Sequence, residues 1–160
     1  MSEKQKGAIA AAVDFSPASE AAARYAADLA RARRVPLLVI HVLEVLPPII
    51  PGTETFFPED LKRAIARDRR REKARLAALV RRLARSRVRV SAVWREGNPA
   101  AEIVKAAEES GAEVILLGTR RRSELEKATL GSVAAEVIRR AVCSVLTVRE
   151  KQGRPLPHLG

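Results

Sequence analysis

Gly131-Ser132 stands at the head of an amphipathic stretch, and the segment leading to it from Gly118 carries Arg120, Arg121, Arg122 and Lys127. A helix start leaves backbone N–H groups unpaired at the positive end of the helix dipole, so these two residues are suited to hold an anion. The four cations would add to the attraction. The same pair also suits a tight turn followed by an ordinary helix start, and the spacing admits either reading. Covalent or acid–base catalysis has less to work with. Cys143 is the single cysteine, His41 and His158 are the only histidines, and no Ser/His/Asp set, paired carboxylates or Gly-Lys-Ser phosphate loop can be assembled. Neither a dedicated catalyst nor a metal site is expected. His41 lies in an apolar run and reads as a satisfied core or rim residue. Cys143 reads as a small buried hydrophobe, and Trp94 as core.

The elements that must position these residues alternate along the chain. Residues 8–14, 37–43 and 114–117 are short runs apolar on both faces, as central parallel strands require when helices cover both sides. Residues 88–95 alternate instead, with Val88, Val90, Ala92 and Trp94 opposite Arg89, Ser91 and Arg95, which suits an edge strand. A fifth strand is expected over 144–149. Helices are expected over about 17–33, 58–86, 99–110 and 132–141. Ser16-Pro17 and Asn98-Pro99 read as cap followed by first helical residue, and Gly111 as a helix stop. Asp68 and Glu72 interrupt the apolar stripe that Leu61 and Ile65 begin on the second helix. The order βαβαβαβαβ implies an α/β domain, three layers deep, with a five-stranded parallel sheet in the order 3-2-1-4-5. Its ligand crevice would open where the winding reverses, between the first and fourth strands, at Asp14 and Gly118. Residues 46–58 are expected to form a long proline-rich loop at the same end.

A chain of 160 residues, 47% hydrophobic and 31% charged, can bury one core and is not a disordered polymer. A single domain over 1–150 with a frayed tail over 151–160 is expected. No apolar run approaches the roughly 20 residues of a membrane span, and a cytoplasmic location is expected. The net charge of +11 is local: residues 62–89 hold 13 Lys or Arg against Asp68 and Glu72, and the rest of the chain is neutral. Those cations wrap most of the second helix, which has no aromatic residue for stacking on bases. A solvated arginine-rich face is therefore favoured over a nucleic-acid surface or a dock for an acidic protein.

Six fragments in order resemble the universal stress protein family over about 7–149. They are Val13-Asp14-Phe15-Ser16, His41-Val42, Gly97-Asn98-Pro99, Gly111 to Thr119, Leu130-Gly131-Ser132-Val133-Ala134 and Cys143-Ser144-Val145-Leu146. The resemblance implies a Rossmann-like fold of the adenine nucleotide alpha hydrolase-like kind, a homodimer paired through the fifth strand, and a stress-response regulatory role. It also implies a crevice for ATP, with Mg accompanying it, that hydrolyses weakly or not at all. Asp14 resembles the family's adenosine-contacting aspartate, with local backbone capping as its alternative role, and Val42 resembles the adenine-packing position. Nucleotide-binding members carry Gly-x2-Gly-x9-Gly-(Ser/Thr); here the series is Gly118, Arg121, Gly131, Ser132, so arginine replaces the second glycine. Arg121 would either pair with phosphate or fill its space. Another anionic ligand, a nucleotide-independent protein–protein module and nucleic-acid binding through the second helix remain the alternatives. Phe15 stands where the common Asp-Gly-Ser version has glycine.

Overall fold

Five parallel strands form one sheet in the order β3-β2-β1-β4-β5. The computed structural model describes residues 7–44, 59–119 and 131–149. In chain order the elements are β1 (Ala8–Ala12), α1 (Pro17–Arg33), β2 (Leu37–Leu43), α2 (Glu59–Ala84), β3 (Val90–Glu96), α3 (Pro99–Ser110), β4 (Ala112–Thr119), α4 (Ser132–Arg140) and β5 (Ser144–Arg149). The expected loop over 46–58, the cations Arg120, Arg121, Arg122 and Lys127, and the tail over 151–160 lie outside the described residues. Among the described residues, no helix is long and apolar enough to cross a membrane.

Every residue of β1 is buried, because the central strand is covered on both faces. Ile9, Ala11, Leu37, Val39 and Leu116 face α1 and α2. Ala10, Ala12, Ile40, Ile115 and Leu117 face α3 and α4. The caps follow the local chemistry: the Ser16 hydroxyl accepts from the Ser19 amide at 3.2 Å, and the Asn98 side chain accepts from the Ala101 amide at 3.0 Å. Gly111 closes α3 at φ 66°, a left-handed conformation that costs glycine nothing.

Several boundaries differ from the sequence reading. β1 ends at Ala12, β3 is shifted to 90–96, and β4 is longer at both ends, running from Ala112 through Gly118 to Thr119. Gly118 is thus a strand residue paired with Val148 of β5. On α2, the two acids that interrupt the stripe do different things: Asp68 is exposed, while Glu72 turns inward to His41. Leu76, Leu79 and Leu83 bury the rest of that face.

Candidate functional site

The carboxyl ends of β1, β2 and β4 open into a crevice of about 430 Å³, within the size range of small-molecule sites. Its floor and walls come from Ala12, Ile40, Val42, Ile103 and Leu117, all apolar. Asp14, Glu44 and Glu72 stand at its rim, and the first turn of α4 enters through Val133 and Ala134. The first amides of α4 have no partner within their own helix and suit an anion, while the apolar lining suits an uncharged group.

Asp14 and Val42 both reach the crevice as the sequence placed them. Asp14 is exposed; its Oδ1 accepts from the Ser16 amide at 2.9 Å, and its own amide donates to the Ser19 hydroxyl at 3.2 Å. This carboxylate therefore caps local backbone and lines the crevice at the same time. Gly118 also lines the crevice, but its bare Cα is needed elsewhere. A Cβ there would lie 2.3 Å from the Ala18 carbonyl carbon and 2.3 Å from the Ser19 amide nitrogen. The start of α1 packs directly on β4 at that point. Gly131 is the reverse case: a Cβ would meet nothing within 4 Å, and its φ of −57° suits any residue. It caps α4 without a side-chain hydrogen bond. Ser132 is exposed beside it, and neither residue is among those lining the crevice. Arg121 lies outside the described residues.

His41 and Glu72 form a contact for which the sequence holds little signal. His41 is 4% exposed and sits between the rings of Phe15 and Trp94, with centroids 4.4 and 5.0 Å away. Its Nδ1 lies 2.7 Å from the Val13 carbonyl oxygen and its Nε2 lies 2.8 Å from the Glu72 carboxylate. A carbonyl only accepts, so Nδ1 carries a hydrogen and donates. The Glu72 carboxylate holds the other edge of the ring at Nε2. With both nitrogens occupied, the imidazole is a strut between β1, β2 and α2 and is not poised as a free base. The one local signal for it was Glu72 on an otherwise apolar stripe.

Phe15 adopts φ 60°, a left-handed conformation that costs a non-glycine residue roughly 1–2 kcal/mol. Burial of its ring and the Arg75 guanidinium, 4.5 Å above that ring, offset the strain. Cys143 is partly buried, and desolvation pushes its thiol up from the usual range. Among the described residues, no group of three or more His, Cys, Asp or Glu could hold a metal ion.

The universal stress protein family model matches residues 7–149. A universal stress protein of Thermus aquaticus is 36% identical over 138 residues, covering 86% of this chain and 95% of its own. One from Methanocaldococcus jannaschii is 33% identical over 141 residues, covering 86% and 78%. Among solved structures, an Archaeoglobus fulgidus universal stress protein in complex with dAMP superposes with a TM-score of 0.60 at 27% identity, over 89% of this chain and 97% of that one. The Rossmann-like sheet and a family match over nearly the whole chain agree, and the chain belongs to the universal stress protein family.

Proposed function

We propose that this chain is a cytoplasmic stress-response regulatory module whose crevice accepts an adenine nucleotide and hydrolyses it slowly or not at all. The observation that carries this reading is an apolar-lined crevice that Asp14 and Val42 line and that the first turn of α4 reaches through Val133 and Ala134. A relative at 27% identity was solved with dAMP, a ligand that joins an uncharged base to an anionic phosphate. In this reading Asp14 meets the ribose, Val42 packs on the base, and Gly131, Ser132 and the Val133 amide approach the phosphates. Gly118 lets the strand end lie close beneath them. Arg121 acts on the same phosphates, as partner or obstruction. ATP with Mg is the expected ligand. The module works as a homodimer through β5.

Calorimetric titration with Mg-ATP and with dAMP at physiological salt tests the crevice. Saturable micromolar binding by the wild type, lost in Gly131→Asp and tightened in Arg121→Gly, is the expected result. Silence from the wild type with binding by Arg121→Gly would mean that the arginine has closed the site. The chain would then be a nucleotide-independent protein–protein module.

A further inference from the structure

The cations of α2 divide by their angle around the helix axis. Four of those on the flanks fold down onto the domain. Arg69 donates to Glu96 at 2.7 Å, Arg82 donates to Glu20 at 2.7 Å, Lys73 lies 5.3 Å over the Trp94 ring, and Arg75 caps Phe15. Arg63, Arg67, Arg70 and Arg81 are different. At 3.6 residues per turn they fall within about 60° of one another on the side opposite Leu76, Leu79 and Leu83. All four are exposed, and among the described residues none has an ion-pair partner or hydrogen bond. From Arg63 to the helix end this pole carries no acid, since Asp68 and Glu72 lie toward the buried side. Between the two groups of arginines the pole is a smooth strip of exposed Ala74, Ala77 and Ala78. At its carboxyl end it meets a concavity of about 300 Å³ lined by Arg75, Arg81, Arg82 and Arg85 together with the single acid Glu20, with which Arg82 pairs.

We infer that the outward pole of α2 binds the phosphodiester backbone of duplex nucleic acid. A stripe from Arg63 to Arg81 spans about 27 Å, a length over which one strand of a B-form duplex presents about eight phosphates. Arginine is suited to phosphate because its planar fork donates two parallel hydrogen bonds and keeps its charge. A protein partner fits less well. Protein interfaces draw their affinity from buried aromatic and large apolar anchors, and this pole offers only alanine methyls. Without stacking aromatics it does not read bases, so binding is independent of sequence and no stronger for single strands than for duplex. The site is separate from the crevice and does not depend on the nucleotide reading.

Fluorescence anisotropy with a labelled 24-base-pair duplex, using nucleic-acid-free full-length protein at 50–200 mM salt, tests this. About four phosphate contacts predict a log–log salt slope of about −4 and about a hundredfold loss of affinity across that range. Arg67→Ala/Arg70→Ala/Arg81→Ala should lower the slope by about three units. The control triple Lys105→Ala/Arg139→Ala/Arg140→Ala, which removes the same charge from α3 and α4, should keep more of the affinity and slope. Arg-to-Gln changes at the same three pole positions should repeat the loss, and all variants should keep the wild-type melting temperature. Saturating Mg-ATP at constant ionic strength should leave duplex binding intact. A pole variant that binds like the wild type would overturn the inference, as would displacement of duplex by ATP. Equal competition by polyglutamate of matched charge would overturn it too, and would point to an acidic protein instead.

Discussion

A methyl group at Gly118 would sit 2.3 Å from backbone atoms of Ala18 and Ser19, so α1 would have to lift off β4. Overpacking of this kind costs about 1–3 kcal/mol and sometimes more. At about 2–4 °C per kcal/mol for a chain this long, Gly118→Ala should lower the melting temperature by about 2–12 °C. Gly131→Ala has open space around it and should stay within about 0.5 kcal/mol of the wild type. Gly131→Asp separates fold from ligand. A carboxylate at the helix N-cap supports α4 by a few tenths of a kcal/mol while repelling phosphate, so the variant should melt no lower than wild type and lose nucleotide binding. Calorimetric melting and titration on the same three variants check these outcomes. Both glycines were visible in the sequence as a spaced pair, but the reason for Gly118 was not. It depends on α1 crossing a strand about a hundred residues further along the chain, which no local pattern reports. Phe15 is similar: its left-handed backbone is held by Arg75 from α2, and its one sequence signal is that it stands where the common Asp-Gly-Ser version has glycine.

Elements with a chemical start and stop were legible. Ser16-Pro17, Asn98-Pro99 and Gly111 mark α1 and α3 where they occur, because capping is settled by a few neighbouring atoms. The inner face of α2 was harder to read, since Glu72 breaks its apolar period and only His41, 31 residues away, explains it. That pair predicts an order of variants. Glu72→Ala leaves a buried imidazole nitrogen without its partner and should cost about 1–3 kcal/mol. Glu72→Gln can donate an amide hydrogen to Nε2 while Nδ1 still bonds Val13, so it should cost under about 1 kcal/mol. Urea unfolding that finds Glu72→Gln as costly as Glu72→Ala would show that the charge, and not the hydrogen bond, holds the strut. The flanking bridges to Glu20 and Glu96 are solvent-exposed on their arginine side, and each contributes at most about 1 kcal/mol. Leu79, 2% exposed, carries more, about 2–5 kcal/mol on truncation to alanine.

At the scale of the whole molecule, strand order was legible because right-handed crossovers leave few arrangements for five alternating strands. That order leaves β3 and β5 as the two edges. They are not equivalent. Charged groups guard β3, where Arg95 pairs with Glu109 and Glu96 pairs with Arg69. β5 and the end of α4 beside it expose Val142 at 82%, Ile138 at 46% and Leu146 at 38%. An edge strand with unpaired backbone groups and uncovered apolar side chains is a template for a second copy. Homodimerisation through β5 is therefore expected, and a glutamate at its centre should oppose it by burying an unpaired charge in the interface. Wild-type protein should sediment at about twice the 17.5 kDa chain mass, with a melting temperature that rises with concentration. Leu146→Glu should sediment as a monomer whose melting temperature no longer depends on concentration, because Leu146 is already partly exposed and the fold does not need it. A dimer that survives Leu146→Glu and Val142→Glu alike would place the contact elsewhere.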